Sequence, residues 1–252
     1  EVLLDERILS VPTVAVERAF ELSAEMCAVA EGAFVKAIKQ IPEYSEKAAE
    51  EIAEAEGRLD RFEDELSTYM MKLSKIGVSD SDSKCVAKIL HTVDDFERIG
   101  DLAMDFSNIV KDMHSKGQSF SEGVDFEIST LSNAVMEILE ITTKSFKETD
   151  IKLAKTVEPL DQAIGMLVLE AKRKHIVRLR NGICTKDTGF TFSDVLTIYE
   201  RIAEHCSNIA VAVVESRHGS FDTHEYLQIM KEKPNNNFQK QYAAYMDKYS
   251  IS

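Results

Sequence analysis

The strings Glu97-Arg98-Ile99-Gly100-Asp101 and Glu200-Arg201-Ile202-Ala203-Glu204 decide the fold. They lie 103 residues apart and differ only in their last two positions. Each sits inside a stretch whose apolar residues recur every three to four positions, which is the spacing of one helix face. A second matched pair, Leu59-Asp60 and Leu160-Asp161, is offset by 101 residues. Two matches at nearly one offset, in the same order, are the mark of an internal duplication rather than of chance composition.

Working outward from these strings, the first half reads as three long helices. Val16, Phe20, Ser23, Cys27, Ala30, Phe34, Ala37 and Ile41 form one stripe, broken only by Ser23. Ser10 is expected to cap it, and Pro12 suits its first turn because a missing N–H costs nothing there. Ala48 to Ile76 repeats Ile52, Leu59, Phe62, Leu66, Tyr69 and Leu73 on one face, and after a break at Gly77 to Ser83 a third stripe runs from Val86 through Phe96 and Phe106 to Gly117. The second half repeats the plan: Val124 to Phe146, Leu153 to Ala171, a break from Asn181 to Gly189, and Val195 to Val213. Pro159 falls within the fifth pattern and predicts a kink or restart there. Beyond His218, Thr223-His224-Glu225-Tyr226 reads as the start of a short helix, Pro234 to Asn237 as a loop, and Phe238, Tyr242, Tyr245 and Tyr249 as an aromatic stripe packing on the parent bundle. The expected fold is all-α: two tandem, pseudo-symmetric three-helix bundles over residues 1–117 and 118–218, with a helical C-terminal extension over 219–252.

The 252 residues include ten Gly and four Pro, and 30 Lys plus Arg against 44 Asp plus Glu, for a net charge of −14. That balance disfavours a nucleic-acid binder, which neutralises phosphates with clustered Lys and Arg, and equally disfavours adhesion to anionic lipid. Cations are the natural partners. Cys27, Cys85, Cys184 and Cys206 form no C-x-x-C pair and read as small apolar residues of a reducing compartment. No run of about 18 apolar residues occurs, so nothing in the sequence spans a bilayer as a helix. The chain opens at Glu1, not Met, which fits an excised piece of a longer protein.

On the third helix, His91, Asp94, Glu97, Asp101, Asp105 and Asn108 follow one another along a line away from the core. The corresponding line on the sixth carries Thr197, Glu200, Glu204 and Asn208, with Asp194 less well aligned. The second and fifth helices add Glu56, Asp60 and Glu63, and Glu158 and Asp161. Carboxylates four residues apart can approach one ion and repel each other without it. Oxygen-rich lines with an occasional His suit Mg, Mn, Fe or Zn. The competing reading is a solvated face, with Arg98 and Arg201 in ordinary surface pairs. No phosphate loop, nucleophile elbow or H-E-x-x-H motif is present, and the single E-x-x-H pair, Glu215 to His218, falls short of a di-iron set. His175 and His205 border apolar faces and read as structural. No catalytic residue is assigned, and the chain is read as a non-enzyme.

Asp95-Phe96-Glu97-Arg98-Ile99-Gly100-Asp101 together with Glu200-Arg201-Ile202-Ala203-Glu204-His205-Cys206-Ser207-Asn208-Ile209-Ala210 resembles the paired signature of PhoU domains. Leu4-Asp5-Glu6-Arg7 followed by Pro12, Gln118-Ser119-Phe120-Ser121, His175-Ile176-Val177-Arg178-Leu179 with Gly182 and Cys184, and Asp222-Thr223-His224-Glu225-Tyr226-Leu227 are similar to the cytoplasmic tail of bacterial sodium/phosphate cotransporter proteins. The resemblance covers nearly the whole chain, and its second signature block is the most specific part. It implies two PhoU-type bundles side by side, a membrane transporter portion upstream in the same polypeptide, and a place on the cytoplasmic side of the membrane. It also implies a regulator of phosphate uptake, either fused to the transporter or standing alone, that binds metal through its acidic motifs. Carried over, Glu97 and Asp101 match one such motif and Glu200 and Glu204 the other, with Asp94, Asp60 and Asp161 as further candidates. The second motif departs from the family in having Glu204 for Asp and Ala203 for Gly. Inorganic phosphate held through metal, and a second copy of the chain, are further expected partners; a carboxylate-ligated metalloenzyme is the reading from another class.

Overall fold

The computed structural model describes residues 4–218 and 236–251. A short 3-10 helix, Glu6–Ser10, is capped by the Asp5 carboxylate, which accepts from the Arg7 backbone N–H at 2.9 Å. It leads into α1 (Pro12–Lys39), whose N-cap is Val11 and which starts at Pro12 without any side-chain cap. Ser10 does not cap it, because its hydroxyl donates instead to the Arg7 carbonyl at 2.8 Å. Ser23, the one polar residue in the stripe of α1, is buried and donates to the Phe20 carbonyl.

Helices α2 (Glu46–Ile76) and α3 (Asp80–Ser115) both open on a serine whose hydroxyl accepts from the third residue of the helix, Ser45 from Ala48 and Ser79 from Asp82. Gly77, at φ +83°, supplies the left-handed turn between them. The break therefore ends at Ser79, and the run expected as loop up to Ser83 is already helical.

The second half holds α4 (Glu122–Glu148), a one-turn α5 (Ile151–Ala154), α6 (Val157–Arg180) and α7 (Lys186–His218). Pro159 is the third residue of α6, so the expected restart falls at residues 155–156, where the proline removes no internal hydrogen bond. The loop after α6 ends at Thr185, and Gly189 lies inside α7. The extension contributes α8 (Asn236–Lys248), and Asn236 and Asn237 belong to it, not to a loop. The expected short helix at Thr223, and Pro234, fall outside the described residues.

Helix α1 packs on α2 and α3; α7 packs on α3, α4 and α6; α1 also meets α4. The two triplets therefore share one core. Phe106 stacks on Tyr199 at 5.5 Å and meets Phe34 edge-on at 5.5 Å, while Phe96 meets Phe146 at 5.0 Å. Burying each of these rings contributes on the order of 2 kcal/mol. Helix α8 lies against α6 with Phe238 and Tyr249 buried, and Tyr249 and Lys248 both reach Glu137 of α4, so the aromatic stripe packs on the bundle as its spacing predicts. Among the described residues there is no strand, and no helix is long and apolar enough to cross a membrane.

Candidate cation site on the acidic ridge

The ridge starts from a glycine. A Cβ built on Gly100 would stand 2.3 Å from Cδ1 of the fully buried Leu59, so the absence of a side chain lets α2 lie close against α3. That approach brings Glu56, Asp60 and Glu63 of α2 alongside Asp94, Glu97 and Asp101 of α3. The electrostatics record the crowding. Glu97 is pushed up to about 7, first by burial and then by the Asp101 charge, with Arg98 opposing. Burial raises Glu56, with Asp60 and Asp101 adding to it. It raises Glu63 as well, with Asp94, Asp64 and Asp60 adding. Like charges on a partly desolvated surface disfavour ionisation, and a cation beside any of them would offset that cost.

Glu97 Oε2 is buried and accepts no hydrogen bond. Its nearest cation is Arg98, whose Nε stands 3.5 Å away while Nη1 donates to Asp101 Oδ2 at 3.2 Å. The pairing of Arg98 with acids expected from sequence is thus present, and it leaves Glu97 unsatisfied. In charge and donor type the first-half set fits a hard cation, with the orphaned Glu97 oxygen at its centre. As placed, the carboxylates are spread along the ridge: among the described residues no three His, Cys, Asp or Glu side chains converge on one ion position.

The second-half line is arranged differently. Glu200 is exposed and accepts from Lys172 Nζ at 3.1 Å. Glu204 is exposed and Asp161 half-buried. Glu158 is buried and holds the fold, accepting from Ser207 Oγ at 2.7 Å and from Gln162 Nε2 at 3.4 Å. Ala203 stands where the first half has Gly100. These groups do not fit a cation until Lys172 leaves.

Two arrangements lay beyond the sequence reading. Asp95 Oδ1 is shared by His205 Nδ1 at 2.8 Å and Asn208 Nδ2 at 3.2 Å, a bridge from α3 to α7 across the seam between the triplets. Both His205 and Asn208 sit inside the second signature block, but nothing in spacing identifies their partner. Glu127 of α4 takes a bidentate pair from Arg178 of α6, both bonds 2.8 Å, with the Glu127 side chain 4% exposed. His175 is buried 5.0 Å from the Phe192 ring, burial lowers its proton affinity, and its Nδ1 has no hydrogen-bond partner. Cys27 and Cys206 are buried free thiols, and burial pushes Cys27 up to about 12.

The family model of the PhoU domain matches residues 24–110 and 128–213. The chain is 20% identical over 179 residues to the phosphate-specific transport system accessory protein PhoU homolog 1 of Thermotoga maritima, covering 71% of this chain and 76% of that one. It is 24% identical over 190 residues to the corresponding PhoU homolog of Pseudomonas aeruginosa, covering 75% and 78%. Among solved structures, PhoU from Pseudomonas aeruginosa superposes with a TM-score of 0.67 at 19% identity, over 85% of this chain and 99% of that chain. The phosphate transport system regulatory protein PhoU from Streptococcus pneumoniae gives 0.73 at 15% identity, over 83% and 98%.

Proposed function

The chain belongs to the PhoU domain family, and from that premise we propose that it is a non-enzymatic regulator of phosphate uptake acting on a membrane phosphate transporter. The observation that supports this most is the double match of the family model, with an acidic string at the corresponding place on α3 and α7. The similar proteins named as accessory proteins of phosphate-specific transport point the same way.

The finer form of the proposal is that the chain is the cytoplasmic portion of a sodium/phosphate cotransporter, attached to a membrane-embedded part of the same polypeptide. Its support is the resemblance carried by Leu4 to Arg7, Gln118 to Ser121 and His175 to Leu179. A stand-alone accessory protein is the second reading, favoured by relatives of which the chain covers 76% and 78%. Sequencing upstream of Glu1 separates the two: several apolar spans of about 20 residues found there would support fusion, and finding none would support the second reading.

Glu97 and Asp101, with Asp60, Glu56, Asp94 and Glu63 around them, would hold a hard or borderline cation. A bound cation supplies positive charge where a chain at −14 otherwise repels phosphate. Glu200 and Glu204, with Asp161, would hold a second only after Lys172 is displaced from Glu200. The test is phosphate uptake in cells that carry the chain intact, deleted, or with Glu97→Gln and Asp101→Asn. Deletion should release uptake from control by external phosphate, and uptake unchanged by deletion would overturn the regulatory reading. The cation part stands or falls separately, on calorimetric titration with Mn, Fe, Zn or Mg.

A further inference from the structure

The outward face of α6 contradicts the net charge. Met166, Leu169, Arg173, Ile176, Val177 and Arg180 fall at offsets 0, 3, 7, 10, 11 and 14, one stripe of a 3.6-residue helix about 21 Å long. Its apolar members are open to solvent: Met166 46%, Leu169 42%, Ile176 56% and Val177 55% exposed. Helix α6 packs on α4, α7 and α8, and none of these covers the stripe. The inward residues Leu160, Leu167 and Ala171 already supply its core contacts. Among the described residues, nothing packs against this run of aliphatic side chains.

The charge on this face is mostly positive, with Glu170 as its one acid, offset by Lys174 at 3.9 Å. Residues 172–180 read Lys-Arg-Lys-His-Ile-Val-Arg-Leu-Arg. Lys172 and Arg178 are taken up by Glu200 and Glu127, and Lys174 stands 3.9 Å from Glu170 and from Glu127. Arg173 and Arg180, on the stripe itself, are exposed and make no ion pair among the described residues. The crowded carboxylates of the first half lie on α2 and α3, and of the second-half acids beside α6, Glu200 is taken up by Lys172 and Glu158 by Ser207.

We propose that the outward face of α6 docks on the surface of an anionic lipid bilayer. Met166, Leu169, Ile176 and Val177 enter the headgroup boundary while Arg173 and Arg180 meet lipid phosphates, the disposition of an interfacial helix. Two like copies would set arginine-bearing stripes against each other, and a nucleic-acid backbone has no use for the aliphatic residues between. This inference rests on α6 alone and is independent of the regulatory reading and of the cation site.

The test is flotation of the 252-residue chain with vesicles of phosphatidylglycerol and phosphatidylcholine, against phosphatidylcholine alone. The chain should partition onto the anionic vesicles, and binding should fall as salt is raised from about 0.05 M to about 0.5 M. Arg173→Gln with Arg180→Gln should weaken partitioning about 25-fold, about fivefold per cation. Ile176→Ser with Val177→Ser should weaken it about tenfold or more, and both doubles alter exposed positions and should keep the helix signal in circular dichroism. Lys144→Gln with Lys147→Gln, exposed cations of α4, should leave it unchanged. No partitioning, equal partitioning onto neutral vesicles, or indifference to the α6 variants overturns the proposal. So does a concentration-dependent dimer that Ile176→Ser with Val177→Ser abolishes while vesicles bind nothing, which would assign the face to a second copy.

Discussion

The two halves carry the same five-residue string and treat its charge in opposite ways. In the first, Gly100 lets α2 press against α3, and the carboxylates gather with only Arg98 to offset them. In the second, a lysine from α6 reaches a string acid directly, Lys172 taking Glu200, and the neighbouring Arg178 of α6 takes the buried Glu127 of α4. The first half crowds its carboxylates around one arginine, and the second spreads its acids and pairs Glu200 with a lysine from the neighbouring helix. A duplicated motif therefore does not guarantee a duplicated site, because what the neighbouring helix brings decides whether an acid is a ligand or half of an ion pair.

The largest effect should come from the second half. Glu127→Ala strands the Arg178 guanidinium, whose side chain is 14% exposed, and should lower stability by about 3 kcal/mol in urea unfolding. Glu25→Ala, which only removes the exposed partner of Arg58, should be close to silent in the same measurement. A similar cost for both would contradict the contrast between the buried pair that α6 makes and the exposed pair in the first half.

Exchanging the small residues comes next. Gly100→Ala gains helix propensity worth about 1 kcal/mol but drives a methyl into Leu59, an overpacking cost of about 2 kcal/mol, so a net loss of about 1 kcal/mol is expected. Ala203→Gly should lose about 2 kcal/mol, from helix propensity and from the lost burial of its methyl in the core, and should leave cation binding untouched.

The smallest effect is the most specific. Glu97 holds its proton up to about 7 in the fold against 4.5 unfolded, so the native state binds more protons between those values. Stability should fall as pH rises through that window, and the penalty should be complete above it. Glu97→Gln escapes the penalty: it should stabilise the cation-free protein by about 1 kcal/mol near pH 8, allowing for solvent screening, and by nothing near pH 4. Glu200→Gln, which loses the Lys172 pair at 3.1 Å, should bring no gain at either pH. Thermal melts of both variants at the two pH values decide it.

The fold was legible because helical spacing is local. The stripes of α1, α2 and α3, the restart at Pro159 and the packing of the aromatic stripe on α8 all follow from residues a few positions apart. Boundaries were less so: Ser10 had a capping side chain but spent it on Arg7, and α3 and α7 run one turn further toward their N-termini than glycine and serine content implies. The site was half legible. Spacing put Glu97 and Asp101 on one line, and Gly100 in the string carried the reason for the ridge. That Lys172 would reach Glu200, or Asp95 meet His205, depends on contacts 28 and 110 residues apart, which no periodicity encodes. Net charge is coarse in a different way, since −14 averages over the exposed arginines and aliphatic residues of α6.

The most direct measurement is calorimetric titration of the metal-stripped chain with Mn, Fe or Zn, set beside Glu97→Gln with Asp101→Asn and Glu200→Gln with Glu204→Gln. The tighter binding step should vanish in the first double variant and survive in the second. Equal loss from either pair, or undiminished binding in the first, would contradict a cation site built by the α2–α3 ridge.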